Sequence, residues 1–100
     1  MKSIILIILL ILFITVPAMA ERTGKQIYES KCASCHGTGV GGAPRFGKAA
    51  DWESHKKSGL GHMLSHVKKG VGIMPPKGGC NDCTDAELKD AINYILSNSK

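Results

Sequence analysis

The chain has 100 residues, of which 43% are apolar, 5 are aromatic, 12 are glycine and 4 are cysteine, and its formal charge is +5. That is one small domain, too short for a doubly wound dinucleotide-binding sheet, a barrel or a hydrolase scaffold with its own active site. The modest charge and few aromatic side chains argue against a nucleic-acid binder, and at this size a core needs help from a staple, a metal or a cofactor.

Met1-Lys2-Ser3 is a short positive start, and residues 4–16 form an apolar run interrupted only by Thr15. Pro17 ends the run, and Ala18 and Ala20 are the small residues that a signal peptidase reads, so residues 1–20 are expected to be a secretory signal cut before Glu21. The run is shorter than the roughly 18 apolar residues that suggest a membrane span, so membrane association is expected only if the leader is retained. Residues 21–100 then form the single domain, and export places their cysteines where disulfides persist.

Thr23 and Gln26 have the spacing of a capping box, predicting a helix from there to about residue 35. Residues 37–44, rich in glycine and ending in Pro44, read as a loop. Asp51 is placed as the cap of a short helix over residues 52–55. Ser58 precedes a better helix, with Leu60, Met63, Leu64 and Val67 on one stripe and Gly70 as its stop. Residues 74–79 read as extended loop. Thr84 and Glu87 form a second capping box, before a last helix with Leu88, Ala91, Ile92, Ile95 and Leu96 on one face. No alternating β-branched run appears, so the expected fold class is all-α with almost no sheet.

Cys32-Ala33-Ser34-Cys35-His36 is C-x-x-C-H, the attachment pattern of c-type heme. Cysteines three apart on a helical turn project from neighbouring positions, where their sulfurs can add to two vinyl groups of one porphyrin, and the next residue puts an imidazole under the iron. Three other readings compete. Cys32 and Cys35 as a redox disulfide lacks the usual βαβ setting. A zinc site from Cys32, Cys35, Cys80 and Cys83 would need its two pairs far closer in sequence. Zinc would also leave His36 and Met74 unexplained, and the third reading is two plain structural disulfides.

A heme iron held by His36 needs a sixth ligand or an open position. Met63 lies on an apolar stripe and reads as core. His62 and His66, four apart, could hold a surface metal but project opposite Leu60 and Val67 and read as a solvated face, as does His55. Met74 has no helical stripe to explain it and is followed by Pro75-Pro76, which stiffens its loop, so it is the expected axial ligand.

With these residues in place the chain resembles the class I c-type cytochromes, specifically the cytochrome c5 type, over essentially all of residues 21–100. The C-x-x-C-H motif, the 37–44 loop, the Met74-Pro75-Pro76-Lys77-Gly78-Gly79-Cys80 stretch with Cys83, and Tyr94 carry the likeness. The resemblance implies a small cytochrome c fold, helices and glycine-rich loops wrapped around one covalently bound heme c. It implies thioethers from Cys32 and Cys35 and axial bonds from His36 and Met74. It further implies that Pro44, Trp52, Leu64 and Tyr94 pack on the heme, with the Pro44 carbonyl bonded to the imidazole and the Trp52 N–H near a propionate. Gly24 and Tyr28 would meet Tyr94 where first and last helices cross, and Cys80 and Cys83 would form a disulfide, worth about 2 kcal/mol by loop entropy.

The function so implied is a periplasmic one-electron carrier between respiratory redox partners and not an enzyme, since two axial ligands leave no site for substrate. The alternatives are a heme sensor or small peroxidase with a labile methionine, or a dedicated cytochrome subunit of an oxidoreductase complex. Lys48, Lys56, Lys57, Lys68, Lys69 and Lys77 flank the segments expected near the heme edge and suggest a basic rim for partners with acidic docking surfaces. A monomer is expected.

Overall fold

The computed structural model describes residues 21–100, and the expected leader and its cleavage site lie outside the described residues. Helix α1 covers residues 24–36. Thr23 starts it with both bonds of the capping box: its Oγ1 accepts from the Gln26 N–H at 3.1 Å, and its own N–H donates to Gln26 Oε1 at 2.8 Å. An ordinary helical turn, Gly24–Ile27, leads into a wider π turn, Tyr28–Cys32, where the Ala33 N–H donates to Tyr28 O. Ser30 Oγ donates to Gln26 O at 2.8 Å, a side-chain bond of the kind that bends and loosens a helical ladder. The helix then resumes over Ala33–His36. The extra residue rotates that last turn by about 100° relative to the first.

Helix α2, Ala49–Ser58, begins earlier than expected, and Asp51 is not its cap. The Asp51 carboxylate instead lies in the first turn, where Oδ2 accepts from the Arg45 backbone N–H at 3.0 Å and from Arg45 Nε at 2.8 Å. Helix α3, Leu60–Lys69, comes after Gly59 alone, so Ser58 closes α2 and does not cap α3. Gly70, at φ 84°, ends α3 as its position predicts. Residues 74–79 are less extended than expected, since Pro76–Gly79 closes a 3₁₀ turn. Val71 and Met74 exchange both backbone bonds, at 3.1 and 2.9 Å, and this one bridge is the only β pairing among the described residues. Helix α4, Asp85–Ser97, starts with the second complete capping box.

The fold is all-α, and two apolar clusters hold it. Ile27, Met63, Leu64, Leu88, Ala91 and Ile92 join α1, α3 and α4 in one cluster, with Cys80 and Cys83 buried beside them. Tyr28, Trp52 and Ile95 form the other, with Phe46 and Tyr94 packed against it. Cys32 touches both. The crossing of α1 on α4 needs glycine: a Cβ at Gly24 would stand 2.1 Å from Asp90 O. Among the described residues no helix is long and apolar enough to cross a membrane.

Arg22 ties the start of the domain to α4. Its backbone N–H and Nε both donate to Glu87 Oε2, at 3.1 and 2.8 Å, and its Nη2 also reaches Asp82 at 3.3 Å. The Arg22 hydrogen bonds, with that from the Thr84 N–H, hold the buried Glu87 carboxyl down from 4.5 to about 2.

This packing can be tested at two positions. Gly24→Val separates α1 from α4 and is expected to cost about 1–3 kcal/mol in a thermal melt. The carboxylate that Arg22 stabilises contributes above pH 4.5 and is lost as pH falls toward 2. Glu87→Gln is therefore expected to be less stable than the parent by an amount that does not vary with pH near neutrality. Between those pH values it is expected to lose stability less steeply than the parent, read by circular dichroism.

Candidate metal centre

The π turn and the last turn of α1 place the motif side chains. The Cys32 thiol is half-buried between the two apolar clusters, and Cys35 is exposed; both are free. Burial, with the neighbouring Cys35, pushes the Cys32 thiol up to about 11. This is the reverse of the lowered thiol a disulfide redox centre uses. Cys80 and Cys83 are joined in a disulfide, with Cα atoms 5.4 Å apart, so the four cysteines do not form one thiolate site for zinc.

The half-buried His36 is held by its backbone and its ring. Phe46 N–H donates to His36 O at 2.6 Å, folding the loop back under the end of α1. His36 Nδ1 lies 2.8 Å from Pro44 O. A carbonyl can only accept, so Nδ1 carries the proton and Nε2 keeps its lone pair free for a metal. The Trp52 ring packs 5.5 Å from the His36 ring, centre to centre. The Trp52 indole, expected to serve a propionate, donates to Arg45 O at 2.8 Å.

Tyr94 stands with Tyr28, ring centres 5.5 Å apart, and with Phe46, 5.6 Å away. Leu64 lies apart from this aromatic group, in the cluster with Met63 and Ile27. Met74 is half-buried, its terminal methyl over Gly78, at 3.8 Å from where a Cβ there would stand. The Met74 loop meets the loop after His36 where Ile73 Cδ1 covers Gly41, so close that a Cβ would be 1.9 Å away. The Pro76–Gly79 turn behind Met74 packs on α3 and on the π turn.

The basic rim is thinner than the count of lysines suggests. Lys57 faces Glu53 at 3.6 Å and Lys68 faces Asp85 at 3.0 Å, so two of the six charges are offset. Lys56 and Lys77 keep their charge but are pinned to the carbonyls of Ser99 and Cys83, at 3.1 and 3.2 Å.

Two free thiols three residues apart, followed by an imidazole with one nitrogen committed and the other open, are the donor set that covalent heme attachment requires. A family model described as cytochrome c oxidase, cbb3-type, subunit III matches residues 19–95. Cytochrome c5 of Azotobacter vinelandii is 44% identical over 76 residues, covering 74% of this chain and 92% of that protein. A chain of the crystal structure of an electron transfer complex of nitrite reductase with cytochrome c superposes with a TM-score of 0.74 at 35% identity, covering 77% of this chain and 94% of that one. A mono-heme ferrocytochrome c from Shewanella putrefaciens superposes with a TM-score of 0.71 at 40% identity, covering 81% and 99%.

The chain belongs to the class I c-type cytochromes, of the cytochrome c5 type. Its cofactor is one covalently bound heme c.

Two contributors to this cytochrome's site escaped the sequence. Phe46 stacks on Tyr28 at 4.6 Å and fixes the loop through its N–H. It sits in no periodic segment, and the only signal was an aromatic residue without an assignment among so few. Arg45 joins Asp51, Trp52 and α2 through its side chain and both backbone groups, a cluster that no spacing announces.

Trp52→Phe keeps a ring beside His36 but removes the shorter of two hydrogen bonds to the Arg45 carbonyl, which keeps the one from the Lys48 N–H at 3.2 Å. The expected result is a loss of about 0.5–1.5 kcal/mol in the thermal melt with heme content, by pyridine hemochrome absorbance, unchanged.

Proposed function

We propose that this cytochrome is a periplasmic one-electron carrier between redox proteins, with His36 and Met74 as the axial ligands of its heme. The observation that carries the reading is the His36–Pro44 bond, which aims Nε2 and holds the ring against rotation. When bound, the heme supplies a metal that takes up and gives back one electron. His36 and Met74 would hold its iron and leave no open position for a substrate, as suits a carrier and not an enzyme. Pairing of Val71 with Met74, and Pro75-Pro76 after it, hold the backbone of the methionine loop in place, which supports Met74 as the second ligand. A soft sulfur donor favours the ferrous state and raises the potential relative to two histidines.

The nitrite reductase complex among the structural relatives supports a redox protein as the partner class. The family model named for an oxidase subunit favours a second reading, a cytochrome held within one oxidoreductase complex. The carrier reading is preferred because the chain spans 92% and 99% of two small cytochromes. Isolation of the native protein, free or in a complex, separates the two. A periplasmic address rests on the expected leader and on the bacterial relatives.

Potentiometric titration is expected to trace a single one-electron transition with a positive midpoint, and the reduced protein is expected not to bind carbon monoxide rapidly at neutral pH. Met74→Ala is expected to bind it and to lose the weak far-red band of sulfur-ligated ferric iron. Rapid binding by the parent would favour a sensor or peroxidase, and a clearly negative midpoint would remove Met74 as ligand.

A further inference from the structure

The cytochrome reading accounts for every cysteine, for His36 and for Met74, but it gives no task to His62 and His66. They stand four apart on α3, both exposed, on the face away from the buried Met63 and Leu64. Their ring centres are 4.3 Å apart and their planes meet at 48°. We infer that His62 and His66 form a chelating site for a divalent first-row transition ion, with Cu²⁺ the ion held most tightly.

The separation of the rings carries the inference. A metal–nitrogen bond of about 2.0–2.1 Å, extended to the ring centre, puts each imidazole centre about 3.2 Å from the ion. Two imidazoles at a right angle on one ion then have centres about 4.5 Å apart, and at a tetrahedral angle about 5.2 Å. The observed 4.3 Å lies nearer the right-angled separation, the arrangement that Cu²⁺ and Ni²⁺ prefer, than the tetrahedral one of Zn²⁺. Among the described residues neither ring makes a side-chain hydrogen bond that an ion would have to break. The scaffold is rigid, because α3 is anchored through Met63 and Leu64 in the main cluster.

The surroundings limit the affinity. Lys69, three residues past His66, adds a like charge, and two protein ligands leave the remaining positions to water. Lys68 opposes less, because Asp85 faces it at 3.0 Å. His55 is not part of the pair: it lies on α2, with its ring 5.8 Å from Trp52. The site does not draw on the heme, so it stands or falls separately from the carrier function.

Calorimetric titration of the heme-loaded ferric protein with CuSO₄, and separately with NiCl₂, tests the site. One ion per chain is expected, with Cu²⁺ tighter than Ni²⁺, and the copper EPR spectrum is expected to show nitrogen ligation. His62→Gln and His66→Gln are each expected to weaken binding roughly tenfold or more by loss of the chelate, while His55→Gln leaves it unchanged and the heme spectrum reports an intact fold in all three. Absence of binding, binding untouched by either α3 substitution, or binding abolished by His55→Gln would overturn the inference.

Discussion

Helix α1 has to satisfy two demands within 13 residues. Its first turns must bury Ile27 and Tyr28 against α4, at a crossing so close that only glycine fits at position 24. Its π turn and last turn must also place the C-x-x-C-H side chains Cys32, Cys35 and His36. A regular helix fixes the angle between those faces; the π turn at Tyr28–Cys32 changes it by one residue. The rest of the structure is arranged around that rotation. Cys32 ends up between the two apolar clusters, and His36 ends up where the returning loop can reach it.

The loops that hold the site are tied down by means other than regular structure. The loop after α1 is folded back by the Phe46 N–H on His36 O and by the Pro44 carbonyl on the imidazole. The Met74 loop is closed by its bridge to Val71 and backed by the Pro76–Gly79 turn. The Cys80–Cys83 disulfide and the Lys77 bond to Cys83 O then fix the path from that turn to α4. These constraints limit how far either loop moves. For a one-electron site this is the useful property, because a metal whose ligands stay in place reorganises little when its charge changes. The two clusters are small, and the porphyrin adds apolar surface that a domain of this size lacks.

Charge has a smaller part than the net value implies. Arg22 with Glu87 and Arg45 with Asp51 use arginines to fasten the segment before α1 and a loop, and two lysines face carboxylates on the surface. With part of the positive charge paired, a partner would be selected by the surface around the heme as much as by long-range attraction.

The linear sequence by itself determined the cofactor, the helical class, both capping boxes and the helix stop at Gly70. Each of these is local: the spacing of cysteines on one turn, a hydroxyl three residues before a glutamine or glutamate, a glycine free to take positive φ. Tertiary structure alone decided the π turn, the partner of the Trp52 N–H, the role of Asp51 and the stacking of Phe46. Trp52 and Asp51 turned out to answer to Arg45, six or seven residues away across a loop whose path no periodicity describes. A side chain with one donor or two acceptors takes the partner that folding brings within reach. That partner is set by how the helices cross and where the loops return, so it becomes visible only in three dimensions.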